Sequence, residues 1–84
     1  MSLDETRVRA ALFEVLRQVA PDADPATLSE DDDLREALEI DSMDLLNVAI
    51  GLHARLGVDI PEADYAQLTR LRSAVPYLLA AAVR

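Results

Sequence analysis

Cysteine, lysine and tryptophan are all absent from this chain of 84 residues. Without cysteine, neither disulfides nor thiolate metal sites can form. Two glycines are few for an all-β fold, which uses glycine in its turns. No apolar run approaches the ~18 residues of a transmembrane span, and the N-terminus lacks the basic-then-apolar pattern of a secretory signal. We therefore expect no membrane span and a cytoplasmic protein.

Positive charge is also scarce, since eight arginines face sixteen Asp and Glu residues and give a formal net charge of −8. Binding to phosphate needs clustered basic side chains, so the composition argues against nucleic acid and anionic lipid as partners. A basic protein partner fits this charge better. Hydrophobic residues make up 51 % of the chain, enough for one small core. We expect a single domain over residues 1–84 and a monomer.

Apolar spacing predicts a first helix that ends before Pro21, with Ser2 and Glu5 as a capping box at its start. Residues 21–40 form a long connector with local turns, one of them capped by Asp24. The acidic run 30–33 is expected to be a solvated loop. The connector residues spaced to contact a core are Leu28, Leu34, Leu38 and Ile40.

The next helix has the clearest pattern in the chain. Asp41 suits its N-cap, Asp44 lies in its first turn, and Gly57 suits a left-handed C-cap. Gly51 in its middle indicates close packing there. Its apolar face comprises Leu45, Leu46, Val48, Ala49, Ile50, Leu52 and Leu56.

Residues 62–68 are predicted to form a short helix, with Tyr65 and Leu68 pointing inward. In the last helix, Pro76 would be tolerated only near the start, so we expect Ser73 as N-cap or a 3₁₀-like segment leading in through Leu71. The sum is an all-α fold: a small bundle of three main helices and one short helix, with a long first loop.

Few residues could support catalysis. The sole histidine, His53, lies eleven residues after Ser42 on the same predicted helix, which places it ~16 Å away along the axis. That distance is too long for a general base, which needs ~3 Å. We interpret His53 as a surface residue, and we expect no enzyme activity and no metal site.

Ser42 is a candidate for modification, because its hydroxyl lies at the start of the most clearly predicted helix. The helix dipole would favour a phosphate-linked group there by ~0.3–1 kcal/mol, while Asp41 and Asp44 would oppose it. A modifying enzyme could attach such a group to Ser42. On the residues alone, the alternative is that Ser42 or Asp41 only caps the helix.

The run Asp41-Ser42-Met43-Asp44 resembles the Asp-Ser-Leu motif of acyl carrier proteins. The later run from Leu56 to Pro61 resembles the segment after that family's second helix. The resemblance implies a four-helix bundle of the acyl-carrier type. It also implies that a magnesium-dependent phosphopantetheinyl transferase attaches 4′-phosphopantetheine from coenzyme A to Ser42, and that the arm's thiol holds acyl groups as thioesters.

The resemblance also implies roles for neighbouring side chains. Asp41 lies at the interface with the transferase, where it helps to position magnesium, and Met43 replaces the usual leucine as an exposed contact for partners. Asp44 corresponds to the family's next acid. If the core opens to shelter an acyl chain, the candidate lining residues, which are equally suited to ordinary core packing, are Leu46, Ile50, Leu68 and Leu71.

The chain departs from the family pattern in two places. Family members commonly carry carboxylates along the second helix, where this chain has Asn47, His53, Ala54 and Arg55. This favours a specialised carrier over a housekeeping fatty-acid role, working with acyl-transferring or acyl-activating enzymes in fatty acid, polyketide or related synthesis.

The Gly-Gly pair that precedes the serine in many peptidyl carriers is also missing, since Leu38-Glu39-Ile40 stands there. Two alternatives stay open: an aminoacyl or D-alanyl carrier loaded by an adenylating ligase, and an unmodified acidic helical adaptor.

Overall fold

The computed structural model describes residues 4–82, which form four α-helices and two 3₁₀ helices. The α-helices are α1 (Glu5–Val19), α2 (Leu34–Ala37), α3 (Ser42–Leu56) and α4 (Leu71–Ala82). The 3₁₀ helices span Pro25–Thr27 and Glu62–Thr69. The predicted small all-α bundle is confirmed, with α2 as an added single turn inside the long connector. Within residues 4–82, every helix is too short or too polar to cross a bilayer.

The core lies where α1 packs against α3 and α4. Burying a leucine side chain stabilises a fold by ~1.5–3 kcal/mol, so the buried leucines carry much of the stability. Close approach of α1 and α3 depends on Gly51, because a Cβ there would lie 2.9 Å from Val15 Cγ1. The predicted close packing is confirmed. The leucines that are almost fully buried are Leu12, Leu16, Leu34, Leu52, Leu68, Leu71 and Leu78.

The first helix begins later than predicted. Asp4 is the N-cap of α1, and its side chain accepts a hydrogen bond of 2.9 Å from the Arg7 N–H. The predicted Ser2 cap lies outside the described residues. Within them, the cap of α1 is a carboxylate, which also suits the positive end of the helix dipole.

As predicted, the side chain of Asp24 caps a turn in the connector, which is the first 3₁₀ helix. The acidic run 30–33 is a partly exposed turn, as predicted, but two of its four acids form ion pairs that the sequence did not predict. Glu30 pairs with Arg9 at 2.6 Å, and Asp31 receives two hydrogen bonds from Arg72 at 2.6 and 3.1 Å. The acidic run is therefore tied to α1 and α4.

Of the two starts predicted for α4, the cap at Ser73 is wrong, and the 3₁₀ helix that leads in ends at Thr69, before Leu71. The helix begins at Leu71, and the Arg72 N–H in its first turn donates to the Glu30 carbonyl at 3.0 Å. Pro76 consequently lies inside α4 and removes the hydrogen bond that a residue there would make to the Arg72 carbonyl. The hydrogen bond to the connector stabilises the first turn of α4, which has no side-chain N-cap from the described neighbouring residues.

Candidate functional site

The start of α3 is fixed by two carboxylates. Asp41 has an extended backbone, and its Oδ1 accepts the Asp44 N–H at 2.9 Å. Asp44 Oδ2 in turn accepts the Asp41 N–H at 3.2 Å, which completes a capping box. The predicted N-cap at Asp41 is confirmed, and the box holds the first turn of α3 in one orientation.

Ser42 is the first residue of α3 and is exposed. Because Asp41 does the capping, the Ser42 side chain is not needed for it, and Ser42 Oγ makes no hydrogen bond to any residue of the described part of the chain. The site therefore presents an unengaged hydroxyl on a rigid helix start, with the dipole of α3 favouring an anion beside it.

A strained turn leads into this site. Glu39 adopts a left-handed φ of 55°, and the following Ile40 N–H donates to the Arg35 carbonyl at 3.0 Å. This is the Schellman pattern that ends many helices, in which glycine usually holds the left-handed position. Ile40 is buried in the core, so the turn anchors the chain one residue before the α3 cap.

A row of apolar side chains faces outward from α3, beginning next to Ser42. Met43 is 64 %, Leu46 37 % and Ile50 57 % exposed. Their spacing of three and four residues puts them on one side of the helix. We call these three residues the apolar stripe. Its exposure is unusual for large hydrophobic side chains and marks a surface able to contact a partner.

A recess beside α3 is bordered by three carboxylates, those of Asp22, Glu39 and Asp44. The rest of its lining is apolar or backbone from the end of α1 and the turn before α3, and none of the residues 4–82 that line it is basic. We call it the acidic recess. A basic side chain of a partner would find complementary charge here.

The four residues predicted to line an acyl pocket fall into two pairs. Leu68 and Leu71 are buried in the core, whereas Leu46 and Ile50 lie at the surface. Ile50 lines a groove with Ala49, His53, Asp59, Ile60 and Tyr65, while Leu71 lines a separate one between α1 and α4.

His53 is exposed, as predicted, but the sequence interpretation missed its contacts. Its Nδ1 lies 3.1 Å from both the Val58 carbonyl oxygen and Asp59 Oδ1. Gly57 ends α3 with a left-handed φ of 69° and turns the chain back onto the last turn of the helix. The predicted C-cap at Gly57 could have revealed this contact, because such a turn returns the next residues to the helix surface.

The comparison with protein families concerns this same region. The family model described as the phosphopantetheine attachment site matches residues 7–78, a range that includes the α3 start and all of α3. This chain belongs to the phosphopantetheine-binding carrier family. Its cofactor is 4′-phosphopantetheine, held covalently. Carrier domains of this family act as carriers and are not catalytic themselves.

The carrier is also similar to a curated relative, Polyketide-8 synthase acyl carrier protein 2 of Streptomyces avermitilis. The two are 31 % identical over 71 residues, which cover 84 % of this chain and 76 % of the relative. The described residues fit the cofactor, because an exposed, unengaged serine hydroxyl at a helix N-terminus is a suitable acceptor for a phosphate-linked group.

Proposed function

We propose that Ser42 is the attachment point of 4′-phosphopantetheine, and that this carrier serves polyketide or related specialised acyl synthesis. The observation that carries the first part is the unengaged Ser42 hydroxyl directly after the Asp41 cap. The similarity to a polyketide synthase acyl carrier protein supports the second. When bound, the group supplies a terminal thiol on a flexible arm, and acyl groups travel on it as thioesters.

The chain's own residues support the transfer from coenzyme A by presenting the nucleophile. Ser42 Oγ forms the new bond to phosphorus as the bond from phosphorus to the nucleotide part of coenzyme A breaks, and the hydroxyl proton passes to the transferase. The capping box keeps the hydroxyl in place during this reaction, and the α3 dipole stabilises the phosphate that results. Asp41 lies one residue from Ser42, where it can help the transferase to position its magnesium.

Partner enzymes dock, in this proposal, at the start of α3. Asp41, Met43 and Asp44 surround Ser42, so a phosphopantetheinyl transferase must contact them to reach the hydroxyl. The apolar stripe extends the contact area, and the acidic recess offers charge to basic side chains of the transferase and of acyl-transferring or acyl-activating enzymes. The chain does this as a single domain and a monomer of the cytoplasm.

Sheltering of an acyl chain would require the bundle to open. Leu68 and Leu71 lie in the core and Leu46 and Ile50 lie outside it, so a shared pocket forms only if α3 separates from the second 3₁₀ helix. The closed arrangement favours cargo that stays at the surface.

Intact-mass spectrometry tests the attachment directly. The protein is incubated with coenzyme A and a promiscuous phosphopantetheinyl transferase. We expect the wild type and Ser29→Ala, a matched control in the connector, to gain the mass of the arm, and Ser42→Ala to gain none. A wild type that stays unmodified would point to the acidic adaptor, and a Ser42→Ala protein that gains the mass would place the arm elsewhere.

Mass spectrometry of protein isolated with its native load tests the cargo. A carboxylic acyl group supports the proposed role, whereas an amino acid would identify an aminoacyl carrier.

A further inference from the structure

A shallow groove lies beside α3, between that helix and the second 3₁₀ helix. Its apolar surface comes from Ala49, Ile50, Ile60 and Tyr65, and its polar end from His53 and Asp59. The titratable side chains that line it are therefore His53, Asp59 and Tyr65. Ile50 also belongs to the apolar stripe, whereas His53, Asp59 and Tyr65 have no part in attachment at Ser42.

The groove lies on the same side of α3 as Ser42. At 100° per residue, Ser42 and His53 are about 20° apart around the helix axis and about 16 Å apart along it. Ala49, between them in sequence, lies on the same line. Ser42 and His53 therefore share one side of α3, with Leu46 and Ala49 between them along the axis.

The contacts of His53 determine which of its ring nitrogens carries the proton. Two acceptors, the Val58 carbonyl and the Asp59 carboxylate, each lie 3.1 Å from Nδ1. An unprotonated Nδ1 would face both with a lone pair, so the arrangement requires an Nδ1–H. In the uncharged ring, Nε2 is then a hydrogen-bond acceptor, and it has no partner among residues 4–82.

The arm on Ser42 matches this acceptor in length and chemistry. About fourteen bonds join Ser42 Oγ to the sulfur of the arm, and an extended chain spans ~3.4 Å for every three bonds, which gives roughly 16 Å of reach. Its thiol is the donor at that distance, while its two amides lie nearer to Ser42.

We propose that the unloaded arm rests in this groove with its thiol hydrogen-bonded to His53 Nε2, and that Asp59 positions the ring. This inference rests on the proposed attachment at Ser42. A proton shifted from the sulfur to Nε2 would leave a thiolate beside a protonated ring, and Asp59 would balance the charge of that ring. Because the side chains of His53 and Asp59 are 61 % and 94 % exposed, solvent screening keeps this effect small.

Loading changes the contact. A thioester has no S–H, so an acylated arm offers no donor to the uncharged Nε2 at its sulfur. The resting position therefore belongs to the free arm, and acylation releases it. His53 would in this way distinguish the two states of the carrier without any change in the bundle.

The first test observes the imidazole directly by ¹⁵N NMR at pH ~7.5, where a free imidazole is uncharged. We expect the Nε2 signal of His53 to shift when the arm is added and to return when the thiol is S-methylated. An unchanged signal on addition of the arm overturns the proposal, as does a shift that survives S-methylation. Intact mass confirms the arm in each sample, so failure of attachment at Ser42 is recognised separately.

The second test measures the alkylation rate of the arm's thiol at neutral pH. A hydrogen bond from the thiol to Nε2 that eases loss of the proton raises the thiolate fraction, and the weaker nucleophilicity of that thiolate leaves a rate gain of about twofold. We expect His53→Gln to lose this gain, and Asn47→Gln, an uncharged exchange on another face of α3, to keep it. Equal rates in wild type and His53→Gln would overturn the proposal.

Discussion

At the scale of single residues, the site depends on which side chain caps α3. Asp41 was predictable as the cap because capping is local, and the sequence placed an acid directly before the apolar run. The free state of the Ser42 hydroxyl was not predictable, since serine is itself a good cap. It follows only from the observed bonds between Asp41 and Asp44.

We predict that Asp41→Ala lowers the free energy of unfolding by about 0.5–2 kcal/mol, because the Asp44 N–H loses its acceptor. Asp41→Asn retains a cap oxygen and should lose little. Urea unfolding of the three proteins measures this, and an Asp41→Ala protein as stable as wild type would show that the box does not hold α3.

At Glu39, a substitution is expected to raise stability instead of lowering it. Its left-handed φ of 55° is costly for a side chain with a Cβ, so Glu39→Gly should raise the free energy of unfolding by up to about 1 kcal/mol. Glu39→Ala retains the Cβ and should show no such gain. If both variants change the free energy of unfolding equally in chemical denaturation, the change comes from loss of the Glu39 charge and not from the backbone conformation.

At the scale of elements, the features that sequence analysis could not predict depend on contacts between segments that are distant in the chain. The C-cap at Gly57 and the turn at Pro25 were predicted correctly, because each depends only on residues that are neighbours in the sequence. The start of α4 was not, because its Arg72 N–H is satisfied by Glu30, which lies far away in the chain. The same contact attaches the exposed acidic run to α4.

The packing of α1 on α3 provides a prediction about Gly51. A Cβ at this position would lie 2.9 Å from Val15 Cγ1, so Gly51→Ala should destabilise the protein by about 1–3 kcal/mol. Val15→Ala should remove the clash, so the double variant should lose less stability than the two single variants added together. Strict additivity in thermal unfolding would contradict the proposed contact.

The tie between the connector and α4 predicts a pH dependence. The hydrogen bond from Arg72 lowers the pKa of Asp31 below its ordinary value of 3.8. The stabilisation is therefore complete above that ordinary value and is lost as pH falls through the lower folded pKa. We expect Arg72→Gln to lower Tm at neutral pH, and the difference from wild type to shrink below pH ~4. A constant difference at every pH would contradict this.

At the scale of the whole molecule, composition and apolar spacing predicted the all-α fold class, which the structure confirms. That the partner is basic stays a prediction. The formal net charge of −8 does not, however, show how the charged side chains are distributed over the surface. Glu30, Asp31 and Glu14 are paired with arginines, whereas the carboxylates of the acidic recess line a surface without basic residues. We expect modification by the transferase to slow as ionic strength rises, since screening weakens attraction to this surface. A salt-independent initial rate would assign recognition to the apolar stripe alone.

Site mapping by tandem mass spectrometry tests the central claim most directly. After reaction with coenzyme A and a transferase, the protein is cleaved and the modified peptide is sequenced. We predict the arm on Ser42, with Ser29 and Ser73 unmodified. An arm on any other residue, or full recovery of the unmodified Ser42 peptide from a reaction that modifies a known carrier, would contradict the account.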